Sequence, residues 1–509
     1  MQWLKGCYLL GLFFVAGLFC FGFVTETKAA VVNEDLKIVA SDGVNGDEFG
    51  FAISIDGGIM GIGARMYGTA DQIGGAYIFE SDGVGGYTQV KKLVPTDAAT
   101  GDRIGNAVLV SGDYAYVAGY QADVNLEENT GAVWIFQKDA GGTDNWGQVA
   151  KLTAGTPIAG AAFGSSMAID GNTLLVCAQN ETYEGATKPG AAYLFQNDGL
   201  GNWSQVQRIQ PSDYDPTDYF GQSCGIDGDT LVIGAHAGNK AYIFETDELG
   251  DWVESKILTV EGSSWMGTGS HIDGDTVVVG AYRTVGDELA NAGAAYVFSR
   301  DEGGADNWGQ VAQLSPSDGS QENGYFGIDT AIDGDKIVVG AYGQDGMGAA
   351  YSYEKTASGN WVGTGKLVPS DVSAGDSFGY RAALVDDMAI VGSIKASNGL
   401  EAVGAVYTFT MPPLVLQIPG DTDGNQIVND LDAEVLANHW GQTIAGGASV
   451  GDFNSDGKVN ALDASILAAN WGNHTEAASP GTVPEPGVFS LLLTGIAWLG
   501  IMLRRRRSN

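Results

Sequence analysis

The sequence predicts an all-β fold: a seven-bladed β-propeller whose N-terminal strand closes the last blade, followed by a small α-helical domain and a C-terminal hydrophobic helix. Three observations carry that prediction. A unit of about 55 residues recurs seven times. The 509-residue chain holds 77 glycines against 13 prolines, a composition suited to short strands joined by tight turns. Near the C-terminus an acidic loop of fixed ligand spacing occurs twice.

The charge balance narrows the function classes. The 25 basic and 62 acidic residues leave a net charge of -37, which repels nucleic-acid backbones and anionic membranes. Such acidity makes a solvated surface and also supplies oxygen ligands for hard cations such as calcium. The four cysteines form no disulfide framework: Cys7 and Cys20 lie in the leader, and Cys177 and Cys224 occupy strand positions of buried free thiols.

Both ends read as addresses. Residues 1–29 place Lys5 before an apolar run from Tyr8 to Val24 and end on Thr27-Lys28-Ala29, the layout of a secretory signal peptide. Residues 484–509 hold Pro484-Glu485-Pro486, an apolar stretch from Val488 to Leu503 and a basic tail from Arg504 to Arg507. This tripartite tail resembles the PEP-CTERM sorting signal of Gram-negative bacteria. The resemblance implies a membrane-spanning segment, cleavage by an exosortase near Pro484, Glu485 and Pro486, and delivery to the cell surface or an exopolysaccharide matrix.

Residues 30–410 form the repeat region. Its most legible copy runs from Phe326-Gly327 through Ile332-Asp333-Gly334-Asp335 and Ile337-Val338-Val339-Gly340-Ala341 to Gly348-Ala349-Ala350-Tyr351 and Asn360-Trp361. Other copies start at Phe49-Gly50, Ile104-Gly105, Phe163-Gly164, Phe220-Gly221, Met266-Gly267 and Phe378-Gly379. Each unit reads as four strands, with the Asp-Gly-Asp turn making the first two a hairpin. Such sheets repeated radially make a propeller. The last copy lacks an outer strand, and Leu36 to Asp42 matches the missing segment, so the N-terminal strand closes the ring and removes an exposed edge.

These repeats resemble FG-GAP repeats, the units of integrin α-chain propellers and many bacterial surface proteins. Integrin-type blades often hold calcium in an Asp-x-Asp-x-Asp-Gly loop; this sequence has none, and calcium is not expected in the propeller.

After a linker at 411–419, residues 420–473 carry the duplicated loop. Asp421, Asp423, Asn425, Asn429 and Asp432 stand at loop positions 1, 3, 5, 9 and 12, with the carbonyl of Ile427 at position 7. Asp452, Asn454, Asp456, Asn460 and Asp463 repeat the spacing, with the carbonyl of Lys458. Each loop enters a short amphipathic helix with a Leu436–Trp440 or Leu467–Trp471 pair and stops at Gly441 or Gly472. The unit resembles a type I dockerin, which implies two bound Ca2+ ions and a cohesin-like partner. A further linker spans 474–483.

Two histidines in the body, the lack of a Ser-His-Asp, zinc or nucleotide motif, and carboxylates that recur with the blades favour a non-enzymatic binding or adhesion role. The alternative is a polysaccharide-active enzyme, or a cellulosome-like component, that uses the propeller. Strand direction puts the variable loops on one face. There, directly after each valine-rich strand, stand Arg65, Tyr120, Gln179, His236, Tyr282, Tyr342 and Ile394. The first six are candidate ligand-binding residues, with exopolysaccharide the expected partner because aromatic rings stack on sugars.

Overall fold

Each repeat folds into a four-stranded antiparallel sheet because a turn at the end of its first strand fixes the register of all that follows. In the sixth blade the strands are Phe326–Asp333, Lys336–Ala341, Ala349–Lys355 and Trp361–Leu367, and the turn sets Asp333 opposite Lys336. The second strand is buried almost throughout because neighbouring blades cover both of its faces, so it reads as a continuous apolar run. Outer strands such as Tyr87–Leu93 alternate instead.

The computed structural model describes residues 30–65, 73–183, 188–213, 215–286, 288–397, 402–414, 420–422, 427–443, 450–453 and 457–472. The predicted signal peptide and the sorting signal lie outside them. The chain divides into a unit within Lys28–Leu414 and a second that includes Val415–Asn509. No helix among the described residues is long and apolar enough to cross a membrane.

The first unit holds seven sheets, which run in chain order over 52–93, 104–152, 163–209, 220–258, 266–314, 326–367 and 378–410. As predicted, the N-terminal strand completes the seventh: Leu36–Ile38 pairs antiparallel with Ala405–Thr410, setting Leu36 opposite Thr408. Strand pairing ends at Ile38, short of Asp42. A second closure was not legible in the sequence. Ala30–Val32 adds in parallel to the outer strand of blade 6, with Val31 opposite Lys366, and three residues are too few to show a period.

The core is divided among the blade interfaces. Tyr116 and Val133 of blade 2, for instance, pack with Phe163, Leu174 and Val176 of blade 3. In five blades the phenylalanine of Phe-Gly meets a tyrosine and a second aromatic ring of its own third strand, as Phe220 meets Tyr242 and Phe244 at 5.3 and 6.0 Å. Blades 2 and 5 have Ile104 and Met266 instead. There the tryptophan ahead of the outer strand, Trp146 or Trp308, is fully buried in the same cluster and fills the volume.

Three sets of polar ties bind blade to blade. At the seam, the N–H of the Phe-Gly phenylalanine of one blade donates to the loop carbonyl just before the Gly-Ala of the preceding blade: Phe49 to Val403 (2.9 Å), Phe163 to Thr130 (2.8 Å) and Phe378 to Met347 (3.2 Å). On the turn face, the aspartate of one turn accepts from the turn N–H of the next blade. Gly112 donates to Asp56 (2.7 Å), Gly228 to Asp170 (2.8 Å) and Gly334 to Asp273 (2.6 Å). At the rim, the third-strand tyrosine donates to an aspartate that a lysine also holds, as Tyr77 and Lys92 hold Asp42 at 2.8 and 2.7 Å. Burial alone would raise the Asp42 pKa; the bonds from Lys92 and Tyr77 bring it below the usual carboxylate range. The N-terminal strand reproduces this corner through Lys37, Tyr407 and Asp371, which supports its place as the fourth strand of blade 7.

Gly404 closes the ring in parallel pairing with Phe49. Its φ is +90°, and a Cβ there would stand 2.1 Å from the carbonyl oxygen of Phe49. Gly404→Val should therefore cost roughly 3 kcal/mol or more. Gly359→Val, at φ +87° with open space around it, should cost roughly 1–2 kcal/mol. Denaturant unfolding checks both, and equal losses would contradict the seam.

Candidate functional site

Just before each Phe-Gly the chain must kink into the inner strand. All seven kink residues are non-glycine at positive φ: Glu48, Arg103, Ala162, Tyr219, Trp265, Tyr325 and Ser377, between 55 and 60°. This conformation costs roughly 1–2 kcal/mol per residue and directs each side chain in the same sense. In five blades the kink residue meets the residue predicted from the other loop. Glu48 pairs with Arg65 at 2.7 Å, and the Arg103 guanidinium donates to the Tyr120 hydroxyl at 2.9 Å. Ring centroids of Tyr219 and His236, Trp265 and Tyr282, and Tyr325 and Tyr342 lie 5.3, 5.6 and 4.7 Å apart.

The aromatic pairs join across blades into one arc. His236 contacts Trp265 at 4.7 Å, Tyr282 contacts Tyr325 at 5.8 Å and Tyr342 contacts Tyr380 at 5.6 Å. Tyr380 then meets Phe51 at 5.7 Å in blade 1. The guanidinium of Arg65 lies 3.4 Å over Phe51.

Of the predicted ligand residues, the structure brings His236, Tyr282 and Tyr342 together, and sets Arg65 at the end of the arc against Phe51. Tyr120 is tied to Arg103 in blade 2, apart from the arc. Gln179 lies in blade 3 opposite Ala162, with its backbone N–H on Ser165. His236 and Tyr282 are buried, so Trp265, Tyr325, Tyr342 and Tyr380 present the half-exposed rings. Sequence reasoning missed Trp265, Tyr325, Tyr380 and Phe51. The residue before each Phe-Gly and the one after it carried that signal.

The recurrent carboxylates serve the turn ladder, the rim corners and, directly before the kink residues, loop ties in which the buried Asp47, Asp102, Asp218 and Asp376 accept from the N–H of Val44, Ala99, Asp215 and Ser373. Asp329 is buried, unrepeated and accepts from Ala382 N (3.0 Å); Glu181, likewise buried and unrepeated, takes hydrogen bonds from Arg208 Nε (2.9 Å) and from Tyr193 (2.5 Å). Beside it a cavity of about 300 Å³ is lined by Tyr183, Tyr193, Gln205 and Arg208. The inner strands enclose an axial channel of about 460 Å³ lined by apolar residues such as Ile53, Leu109 and Ile169 together with the polar Ser54, Asp56, Ser111 and Asp170. His271 stands in its wall, its Nδ1 3.1 Å from Thr330 Oγ1. Cys177 and Cys224 are buried free thiols.

In the C-terminal unit two helices, α1 (Asp430–His439) and α2 (Ala461–Ala469), carry the same capping box. Asn429 and Asn460 cap the helices, and their N–H groups donate to Asp432 and Asp463 at 2.8 Å each. Each aspartate also accepts from the start of its loop, Asp432 from Thr422 N (2.6 Å) and Asp463 from Phe453 N (2.8 Å). The halves lock through Gly441 to Val459 (2.8 Å) and Gly472 to Val428 (2.9 Å), over a core of Val428, Leu436, Val459 and Leu467.

Asp421, Asp432, Asp452 and Asp463 are all buried. Buried carboxylates in duplicate beside the carbonyls of Ile427 and Lys458 form a hard-oxygen donor set that fits calcium. Asp423, Asn425, Asn454 and Asp456 lie outside the described residues, and among the described residues no three metal-ligating side chains gather.

Burial, with Arg283 nearby, lowers the His236 pKa to about 4. The unfolded imidazole, near 6.5, binds more protons between these values, so stability falls as pH drops through that window. The expected loss is about 3 kcal/mol between pH 7 and pH 4. His236→Gln should remove that part of the pH dependence in denaturant titrations; an unchanged profile would contradict it.

The chain matches the family model of the FG-GAP repeat over residues 32–79, 87–136, 146–195, 203–244, 308–353 and 361–409, and that of the Dockerin type I domain over 419–472. Each FG-GAP match begins on or next to the outer strand of one blade and ends in the third strand of the next, so the family's unit straddles the seam. Blade 5 forms in the structure although its inner strands, Met266–Asp273 and Thr276–Ala281, fall outside the matched segments. No curated protein matches the chain. A crystal structure of a protein from Lactobacillus plantarum is similar at 14% identity and TM-score 0.41, covering 62% of this chain and 87% of that one. With FG-GAP matches over more than half of its length, the chain belongs to the FG-GAP repeat family, and it carries a dockerin type I domain.

Proposed function

We propose that the protein is an exported, non-enzymatic adhesion or binding component of the cell surface or extracellular matrix, with the propeller as its recognition surface. The carrying observation is the aromatic arc on the long-loop face, where half-exposed rings from adjacent blades line up as a stacking platform for sugar rings. The commitment of the recurrent carboxylates to structural ties supports a role without catalysis. Binding of the full chain to extracted matrix polysaccharide tests the reading. Joint substitution of Tyr325→Ala and Tyr342→Ala should weaken it at least about tenfold with the fold intact, and unchanged binding would overturn it.

Dockerin type I domains bind calcium in general, and the duplicated loop spacing in the sequence supports one ligand set per loop. We assign two Ca2+ ions, one held by Asp421, Asp423, Asn425, Ile427, Asn429 and Asp432, the other by Asp452, Asn454, Asp456, Lys458, Asn460 and Asp463, the isoleucine and lysine through their carbonyls. The module then offers a docking surface to a cohesin-like partner. Chelation should abolish the calorimetric transition of this module and leave that of the propeller in place, because metal-ligand energy is folding energy here. Loss of the propeller transition alone would contradict the assignment.

The C-terminal tail supports sorting by an exosortase in a Gram-negative host, with the apolar stretch as a transient membrane anchor. Mass spectrometry of the mature protein should find a C-terminus near Pro484-Glu485-Pro486. Recovery of only full-length chains ending in Arg504 to Arg507 and Ser508-Asn509 from a host with an exosortase would overturn it.

A further inference from the structure

The arc on the propeller carries two arginines that lie over aromatic rings without a carboxylate partner among the described residues. Many lysines and arginines sit on carboxylates: Lys92 on Asp42 at 2.7 Å, Arg208 on Glu181 and Arg300 on Glu245 at 2.6 Å. Arg283 does not. It is exposed at the start of the Tyr282 loop, with its guanidinium 4.0 Å over Trp265 and 5.3 Å over Tyr282, and no carboxylate pairs with it among the described residues.

Arg381, at the other end of the arc, repeats the pattern. It donates to the carbonyls of Phe51 (2.9 Å) and Tyr380 (3.3 Å), and its guanidinium lies 4.9 Å from Phe51 and 5.0 Å from Tyr380. It too lacks an ion pair among the described residues, although Asp329 accepts from the adjacent Ala382 N–H. Within the seven facing pairs the single carboxylate is Glu48, which Arg65 neutralises.

An aromatic ring holds an arginine without neutralising its charge, so N–H donors stay available to an incoming acid; Arg381 spends Nε and Nη1 on carbonyls and offers Nη2. In a chain of net charge -37 such sites are where a polyanion can approach, and the surrounding acidity confines it there. Rings to stack on and cations spaced along them define the occupant. We propose that the arc from Trp265 through Tyr325, Tyr342 and Tyr380 binds an acidic polysaccharide, a uronate-bearing chain whose sugar rings stack on the tyrosines and whose carboxylates meet Arg283 and Arg381. The inference rests on the recognition role proposed for this face and specifies its ligand.

Affinity electrophoresis of the full chain tests it, with polygalacturonate, its methyl ester and dextran as the polymers in the gel. Retardation by polygalacturonate alone is expected, falling as salt rises. Arg283→Gln and Arg381→Gln should each weaken it at least about tenfold, the cost of a lost charged hydrogen bond. Arg283→Lys should retain part, and Lys355→Gln, a cation on the third strand of blade 6, should change nothing. Equal retardation by the methyl ester or dextran would overturn the acidic ligand while leaving sugar recognition standing. No retardation by any of the three, with the melting curve intact, would overturn both.

Discussion

The meeting of Phe-Gly in one blade with Gly-Ala in the one before it is the constraint on which the rest of the propeller depends. Neither half can be read within a single sheet. The glycines are needed because backbone lies against backbone at the seam: a Cβ on Gly131, Gly190 or Gly293 would fall 2.0 Å from the carbonyl oxygen of Phe163, Phe220 or Phe326. Such close approach stacks the sheets, encloses a separate apolar layer at every interface, and leaves the blade edges covered. One junction departs from the rule. Between blades 4 and 5 the loop is short, and the side chain of Asn239, itself at φ 55°, accepts from Trp265 N at 2.5 Å in place of the glycine contact.

The same seam creates the face proposed for recognition. To bring phenylalanine under the preceding glycine, the chain turns through a left-handed residue immediately before it, and the pattern repeats seven times around the axis. Aromatic side chains at those positions meet the loop of their own blade and that of the preceding one, as Trp265 meets Tyr282 and His236. Conformational cost at a repeated position is thus converted into a ring of side chains that differ from blade to blade on a scaffold that does not. Blades 4 to 6 fill it with aromatic rings, whereas blades 1, 2, 3 and 7 place Glu48, Arg103, Ala162 and Ser377 there.

Much of this was legible in the sequence because it is periodic. Seven units, the strand order within each, closure by the segment at Leu36 and the duplicated loop-helix of the dockerin type I domain all follow from spacing. The rest was hidden for physical reasons. Ala30–Val32 is too short to show alternation. The turn aspartates look like ordinary turn formers, and only the ring shows that Asp56 or Asp170 serves the next blade. The residue after the second strand was readable as loop-facing, whereas its partner before Phe-Gly was masked by the conserved-looking dipeptide beside it. Burial of His236 and Tyr282 behind Trp265 and Tyr325 depends on stacking across blades, which no single repeat encodes. In the C-terminal module the helix stops and the Leu436 and Leu467 anchors were readable, while the capping role of Asn429 and Asn460 emerges from the doubled hydrogen bonds.

The account makes the mouth of the propeller, rather than its rim or its blade edges, the recognition surface. A crystal structure of the calcium-loaded chain with a short oligosaccharide of the matrix polymer measures that directly. The account predicts sugar rings against Trp265, Tyr325 and Tyr342 on the long-loop face. Sugar found instead in the cavity beside Tyr183 and Arg208, or along the outer strands, would contradict it.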